Sequence, residues 1–182
     1  MLSGKLLVAN RGEIAIRIFR AAAEAGLSSV AVFPADDAAS LHTRKADAAH
    51  QLPGRGVAAY LDIDAIIAAA REAGASAIHP GYGFLSENAA FARKCAEAGI
   101  TFVGPTPETL ERFGDKHAAR RLAQSLGIPT LPGTAAPTSV AEARAFLKSL
   151  GRNGAVMVKA VAGGGGRGID RKSTRLNSSH RT

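Results

Sequence analysis

The chain has 182 residues, 46% of them hydrophobic and 21% charged, enough for one domain with a sizeable core and part of a second. Four of its eight net positive charges come from Arg171, Lys172, Arg175 and Arg181 in an acid-free tail, and acids and bases are mixed elsewhere, which argues against a nucleic-acid face. One cysteine, no tryptophan and no run of about 18 apolar residues exclude a disulfide framework and a membrane helix, and predict a soluble cytoplasmic protein without a base-stacking platform.

Lys5–Ala9 reads as a buried strand, and Glu13–Ala25 as a helix closed by Gly26. Ser29–Phe33 is the next strand. Asp62 predicts an N-cap for a helix over Ile63–Ala73, closed by Gly74, with Ala75–His79 as the strand that follows. Glu87–Ala98 is a helix closed by Gly99, and Thr101–Val103 a strand. Strand–helix alternation with short connections predicts an α/β fold with a Rossmann-like parallel sheet, in which ligands gather at the carboxyl ends of strands. Asn10-Arg11-Gly12, Pro34 to Asp37 and Pro80 to Phe84 fall there.

A second unit begins near Thr106, with helices over Thr106–Phe113 and Asp115–Leu126 and a Gly- and Pro-rich connector from Gly127 to Gly133. Ser139 and Glu142 form a capping-box pair for a helix over Ser139–Leu150. Ala155–Ala160 is a strand running into Gly163-Gly164-Gly165-Gly166-Arg167-Gly168. Arg171–Thr182 holds one aliphatic residue, Leu176, and is expected to lack native packing. The organisation predicted is a first domain over residues 1–105, linker helices and the start of a second domain over 106–169, and a non-native or disordered basic tail over 170–182.

The glycine run is the sharpest chemical signal, because glycine backbone N–H groups can close over polyphosphate oxygens. It follows a late strand, unlike a dinucleotide fingerprint, and lacks the Lys-Ser/Thr of a P-loop. A phosphate-covering flap remains, with a flexible linker as the ordinary alternative. Lys159, at the strand end before the run, can place its ammonium on nucleotide phosphates. Lys116 is a second cation candidate, although an exposed first-turn lysine is commonplace. Gly12 permits a tight turn into a helix whose N-terminus can hold an anion; a structural turn with Glu13 as first-turn acid accounts for it equally well. Tyr82, between Gly81 and Gly83, can reach a ligand, and Ser86 stands ready to cap the next helix. The five histidines show no metal-ligand spacing with carboxylates or Cys95, and no nucleophile motif is present.

Four segments together resemble the N-terminal part of a biotin carboxylase, the ATP-grasp component of biotin-dependent carboxylases: Ala9–Ala21 (ANRGEIAIRIFRA), Ala77–Asn88 (AIHPGYGFLSEN), Phe102–Lys116 (FVGPTPETLERFGDK) and Lys159–Gly168 (KAVAGGGGRG). Their order and spacing cover nearly all of residues 2–169. The resemblance implies a ligase that carboxylates biotin on a carrier protein, using bicarbonate and ATP with Mg²⁺ or Mn²⁺. It implies ATP-phosphate contacts from Lys116 and Lys159, and a closing flap at Gly163, Gly164, Gly165 and Gly166. Tyr82 and Gly83 would lie on the biotin side, and Arg20 and Glu24 at the interface of a homodimer. The implied partners are a biotin carboxyl carrier protein or domain and a carboxyltransferase, with no nucleic acid and no membrane. The family's metal-binding carboxylates, bicarbonate-binding bases and catalytic glutamate have no counterpart in Asp170–Thr182, so no catalytic residue and no metal ligand is expected here. Other readings are an ATP-grasp ligase of the carbamoyl-phosphate synthetase type and a non-catalytic nucleotide-binding or dimerisation fragment. A dehydrogenase is disfavoured, since no G-x-G-x-x-G follows the first strand.

Overall fold

The computed structural model describes residues 4–134 and 136–159, and the backbone of 169–173. It divides into two units, Met1–Glu111 and Arg112–Thr182. In chain order the first holds β1 (Lys5–Val8), α1 (Gly12–Glu24), β2 (Ser28–Phe33), two 3-10 turns (Ala35–Asp37 and Leu41–Arg44) and β3 (Ala48–Gln51). Then come α2 (Gly56–Tyr60), α3 (Ile63–Glu72), β4 (Ala75–His79), α4 (Ala89–Glu97) and β5 (Thr101–Phe102). The strands form one parallel sheet in the order β3-β2-β1-β4-β5.

Helices cover both faces of this sheet, which is why its central strands are apolar runs rather than alternating ones. Leu7, Val30, Val32 and Ile78 point to one side and meet Ile66 and Ile67 of α3 and Phe91 and Cys95 of α4. Leu6, Val8, Ala31 and Ala77 point to the other and meet Ala15, Ile18, Phe19 and Ala22 of α1. The 3.6-residue period of each helix and the two-residue period of each strand therefore meet in two cores. α1, which follows β1, lies on one face, and α3 and α4, which follow β3 and β4, lie on the other; the chain reverses direction across the sheet between β1 and β4. In folds of this kind such a reversal point, beyond the carboxyl ends of the two strands, is where ligands bind.

Helix ends follow local chemistry. Asp62 accepts from the Ala65 N–H at 3.0 Å, as its position predicts. α4 starts two residues later than predicted, and its cap is Asn88, whose Oδ1 accepts from the Phe91 N–H at 3.0 Å, not Ser86. The sequence predicts neither β3, nor α2, nor the 3-10 turns. β3 contains no buried residue and sits at the sheet edge, so it carries no apolar signal. Polar bonds tether it: Asp47 accepts from the Ser29 N–H at 2.7 Å and from its hydroxyl at 2.8 Å.

α5 (Pro107–Gly114) spans the division between the units. The second unit continues with α6 (Lys116–Ser125), α7 (Val140–Ser149), β6 (Ala155–Lys159) and β7 (Ile169–Ser173). Asp115 caps α6, accepting from the His117 and Ala118 N–H groups at 2.8 and 3.1 Å. Ser139 and Glu142 make the expected capping box. β6 and β7 pair antiparallel, with Lys159 opposite Ile169 and Met157 opposite Arg171. The polar segment expected to begin at residue 170 thus starts inside a strand. Ladder bonds are made by the backbone, so a lack of apolar side chains does not preclude them. The glycine run and residues 174–182 lie outside the described residues.

Candidate functional site

The end of β1 and the end of β4 meet through one side chain. Asn10 is buried, and its carboxamide donates to the Pro80 carbonyl at 2.8 Å and the Tyr82 carbonyl at 2.9 Å. Its own Oδ1 accepts from the Arg11 N–H at 2.9 Å, so every polar position of the carboxamide but one acceptor lobe is used on backbone. Gly81 makes this approach feasible. It has φ +68°, and a Cβ there would stand 2.7 Å from Asn10 Nδ2. The Gly81 N–H donates to His79 Nδ1 at 3.0 Å, which fixes the imidazole proton on Nε2. Burial lowers the His79 pKa below the usual imidazole value.

Beside this loop lies a second cluster. Arg11 does not cap α1 with its side chain; its guanidinium reaches Asp37 Oδ2 at 3.2 Å. The same oxygen accepts from the Tyr60 hydroxyl at 2.8 Å. The Tyr60 ring stacks on Phe84, with centroids 5.3 Å apart and planes 7° from parallel, and the Arg11 Cζ lies 5.7 Å and 6.0 Å from the two ring centres. Phe84 has φ +43°, the left-handed region that glycine normally occupies. Burial by itself would raise the Asp37 pKa, yet hydrogen bonds from Tyr60, Arg11 and Ser40 outweigh it and hold this carboxyl below the usual range. Burial first and Asp37 second push the Tyr60 phenol up, so it stays a donor. Asp36 faces another way and accepts from the Gly56 N–H at 3.0 Å through both oxygens.

A shallow open cleft of about 370 Å³ at α4 and β5 has no lining residue in common with these loops and no titratable side chain. Among the described residues, no three His, Cys, Asp or Glu side chains gather as a metal set.

Residues 3–110 match the family described as Biotin carboxylase, N-terminal domain. The chain belongs to the biotin carboxylase family. Residues 115–178 match the Carbamoyl-phosphate synthase L chain, ATP binding domain, a match that extends past the predicted boundary at 170. Over 170 residues the chain is 52% identical to pyruvate carboxylase of Aspergillus niger, covering 91% of this chain and 14% of that protein. With human mitochondrial pyruvate carboxylase it shares 50% over 169 residues, again 14% of the relative's length. The biotin carboxylase domain of a single-chain bacterial carboxylase superposes with TM-score 0.80 at 56% identity, over 85% of this chain and 36% of that one. The biotin carboxylase domain dimer of Hydrogenobacter thermophilus 2-oxoglutarate carboxylase, solved with MgADP, ADP and bicarbonate, gives TM-score 0.85 at 44% identity, over 92% and 37%.

Within this biotin carboxylase fold, Tyr82 is 66% exposed and Gly83 has φ +65°. Arg20 and Glu24 lie on the exposed side of α1. In the second unit, Lys116 is the exposed first residue of α6, and Lys159 the exposed last residue of β6. Gly163, Gly164, Gly165 and Gly166 lie outside the described residues. In the sequence Asn10, Arg11 and Phe84 stand out only as members of strand-end loops, and Tyr60 does not stand out. Its signal was the Asp36-Asp37 pair after Pro34, a polar cluster at a strand end, but no periodicity tied Asp37 to an aromatic 23 residues on.

Proposed function

We propose that this chain is the N-terminal part of an enzyme that carboxylates biotin on a carrier protein, with bicarbonate and ATP as co-substrates. The observation that carries the reading is the meeting of the Asn10-Arg11-Gly12 turn and the His79–Asn88 loop at the sheet's reversal point, in a chain whose residues 3–110 match the biotin carboxylase N-terminal domain. Lys116, Lys159 and the Gly163–Gly166 run hold ATP phosphates: exposed ammonium groups and unobstructed N–H groups are the chemistry that a polyphosphate requires. Tyr82 and Gly83 face biotin. Arg20 and Glu24, exposed on α1, meet a second copy. A biotin carboxyl carrier domain and a carboxyltransferase are the functional partners, and the compartment is the cytoplasm. No described helix is long and apolar enough to cross a membrane.

ATP in such an enzyme carries Mg²⁺ or Mn²⁺; among the described residues no three His, Cys, Asp or Glu side chains gather as a metal set. The metal ligands and the base acting on bicarbonate are assigned, on this reading, to the rest of such an enzyme. The 182-residue chain alone should show no phosphate release that depends on both biotin and bicarbonate; such release would overturn the assignment of chemistry elsewhere. In a protein carrying the rest of the domain, Lys159→Gln should raise the KM for ATP roughly ten- to hundredfold, the loss of one charge-assisted hydrogen bond of about 1.5–3 kcal/mol. Lys116→Gln should act in the same direction, and Lys148→Gln, exposed on α7, should be silent. The match of 115–178 to the carbamoyl-phosphate synthase ATP-binding domain favours ATP binding of a kind common to both ligase classes. Dependence of ATP cleavage on biotin, or on ammonia instead, separates them.

A further inference from the structure

We infer that Asn10 and Arg11 are positioning residues that clamp the loop carrying Tyr82, so that this tyrosine is presented from a preformed loop rather than a mobile one. The clamp has two jaws. Asn10, buried, donates to the carbonyls on either side of Gly81, those of Pro80 and Tyr82. Two donor bonds from one rigid carboxamide fix the orientation of two successive backbone segments, because either peptide unit would lose its bond on rotation. The second jaw holds Phe84. Its left-handed backbone is unfavourable for a residue with a Cβ and persists because its ring is captured. Tyr60 stacks on that ring, Arg11 lies against both rings, and Asp37 fixes the Tyr60 hydroxyl and the Arg11 guanidinium together. Tyr82 sits between the jaws, its backbone carbonyl gripped and the residue as a whole 66% exposed. Adjacent residues at the end of β1 thus control a loop 70 positions further along the chain.

The use of the clamp in biotin binding rests on the function proposed above; the clamp itself rests on geometry and is tested without ATP or biotin. Asn10→Asp replaces the amide donor by a carboxylate oxygen facing two carbonyl oxygens. Arg11→Ala, at a side chain 42% exposed, removes the second jaw with little risk to folding. Amide hydrogen exchange of the 182-residue chain is read at Gly81 and Ser86 in the loop, and at Ala9 and Val103, whose N–H groups bond to His79 and Ile78 of β4. Each variant should speed loop exchange, and chymotryptic cleavage after Tyr82 and Phe84, about tenfold, leaving Ala9 and Val103 unchanged. Arg11→Lys, which keeps the charge for Asp37 and the rings, should restore most of the protection. Unchanged loop exchange in Arg11→Ala, or equal loss at Ala9 and Val103, would overturn the clamp. Should Asn10→Asp fail to fold, Arg11→Ala and its lysine rescue decide alone. Failure here would leave the carboxylation reading standing, and a failed biotin test would leave the clamp standing.

Discussion

A carbon added at Gly81 would stand 2.7 Å from Asn10 Nδ2 and 3.0 Å from its Cγ, at a φ that side chains rarely adopt. Gly81→Ala should therefore destabilise the chain by roughly 1–3 kcal/mol, through backbone strain and overpacking together, read as a lower urea midpoint at constant slope. His79 adds an acid sensitivity at the same place. Its folded pKa is depressed by burial, so the unfolded chain binds the proton first. Stability should then fall as pH drops below the usual imidazole value of about 6.5, by no more than about 1.4 kcal/mol per pH unit for one proton. His79→Asn, whose Oδ1 can accept from the Gly81 N–H, should flatten thermal unfolding between pH 7 and pH 5.5. Asp37 acts lower on the scale. Held below the usual carboxylate range, it contributes stability above about pH 4 that disappears as pH falls through its folded value. The motif spelling A-N-R-G-E located this corner of the molecule in the sequence. Which carbonyls Asn10 bonds, and which rings Arg11 covers, depends on residues 49 to 73 positions away that no local pattern connects.

Among the elements, α3 was legible because three local signals agree: Asp62 at the N-cap, apolar residues at helical spacing, and Gly74 after the last turn. Asp62→Ala should destabilise the first unit by about 1 kcal/mol, and Ile66→Ala, fully buried against the sheet, by roughly 2–5 kcal/mol. Chemical denaturation followed by far-UV circular dichroism checks both, and Asp62→Asn should recover most of the cap. α4 shows the limit of such reading. Ser86 and Asn88 both suit a cap, and only the backbone path through Phe84 decided for Asn88. β3 shows a different limit: its pairing with β2 is specified by Asp47 bonding Ser29 rather than by apolar alternation. The β6–β7 hairpin makes the same point, since an apolar strand there pairs with a polar one.

On the scale of the molecule, burial is unequally shared. Every buried residue described lies at or before Ile100, and none of the described residues of the second unit is buried. Large apolar side chains such as Phe113, Leu126 and Leu131 are exposed there. The first unit has two cores and should fold alone: residues 1–111 should unfold cooperatively with the urea midpoint shown by Cys95 in the whole chain. Cys95 is a convenient reporter, being fully buried with its thiol pushed up to about 11 by burial. Labelling by a thiol reagent at pH 7.5 should be negligible in the native chain and should rise only with unfolding of the first unit. Rapid labelling under native conditions would show that the α4 side of the core opens freely.

Apolar periodicity, capping residues and glycine stops were enough, from the sequence alone, to determine the parallel α/β class, the main helices and the central strands, because each signal is written within a short stretch of consecutive residues; the family was legible only as a resemblance carried jointly by Ala9–Ala21, Ala77–Asn88, Phe102–Lys116 and Lys159–Gly168. Strand order, the reversal between β1 and β4, and the grouping of Asn10, Arg11, Asp37, Tyr60 and Phe84 were decided only in three dimensions. These depend on which strand ends become neighbours, a property of the packed sheet. Polar side chains at those ends carry no periodic signature until backbone carbonyls from distant segments arrive to meet them.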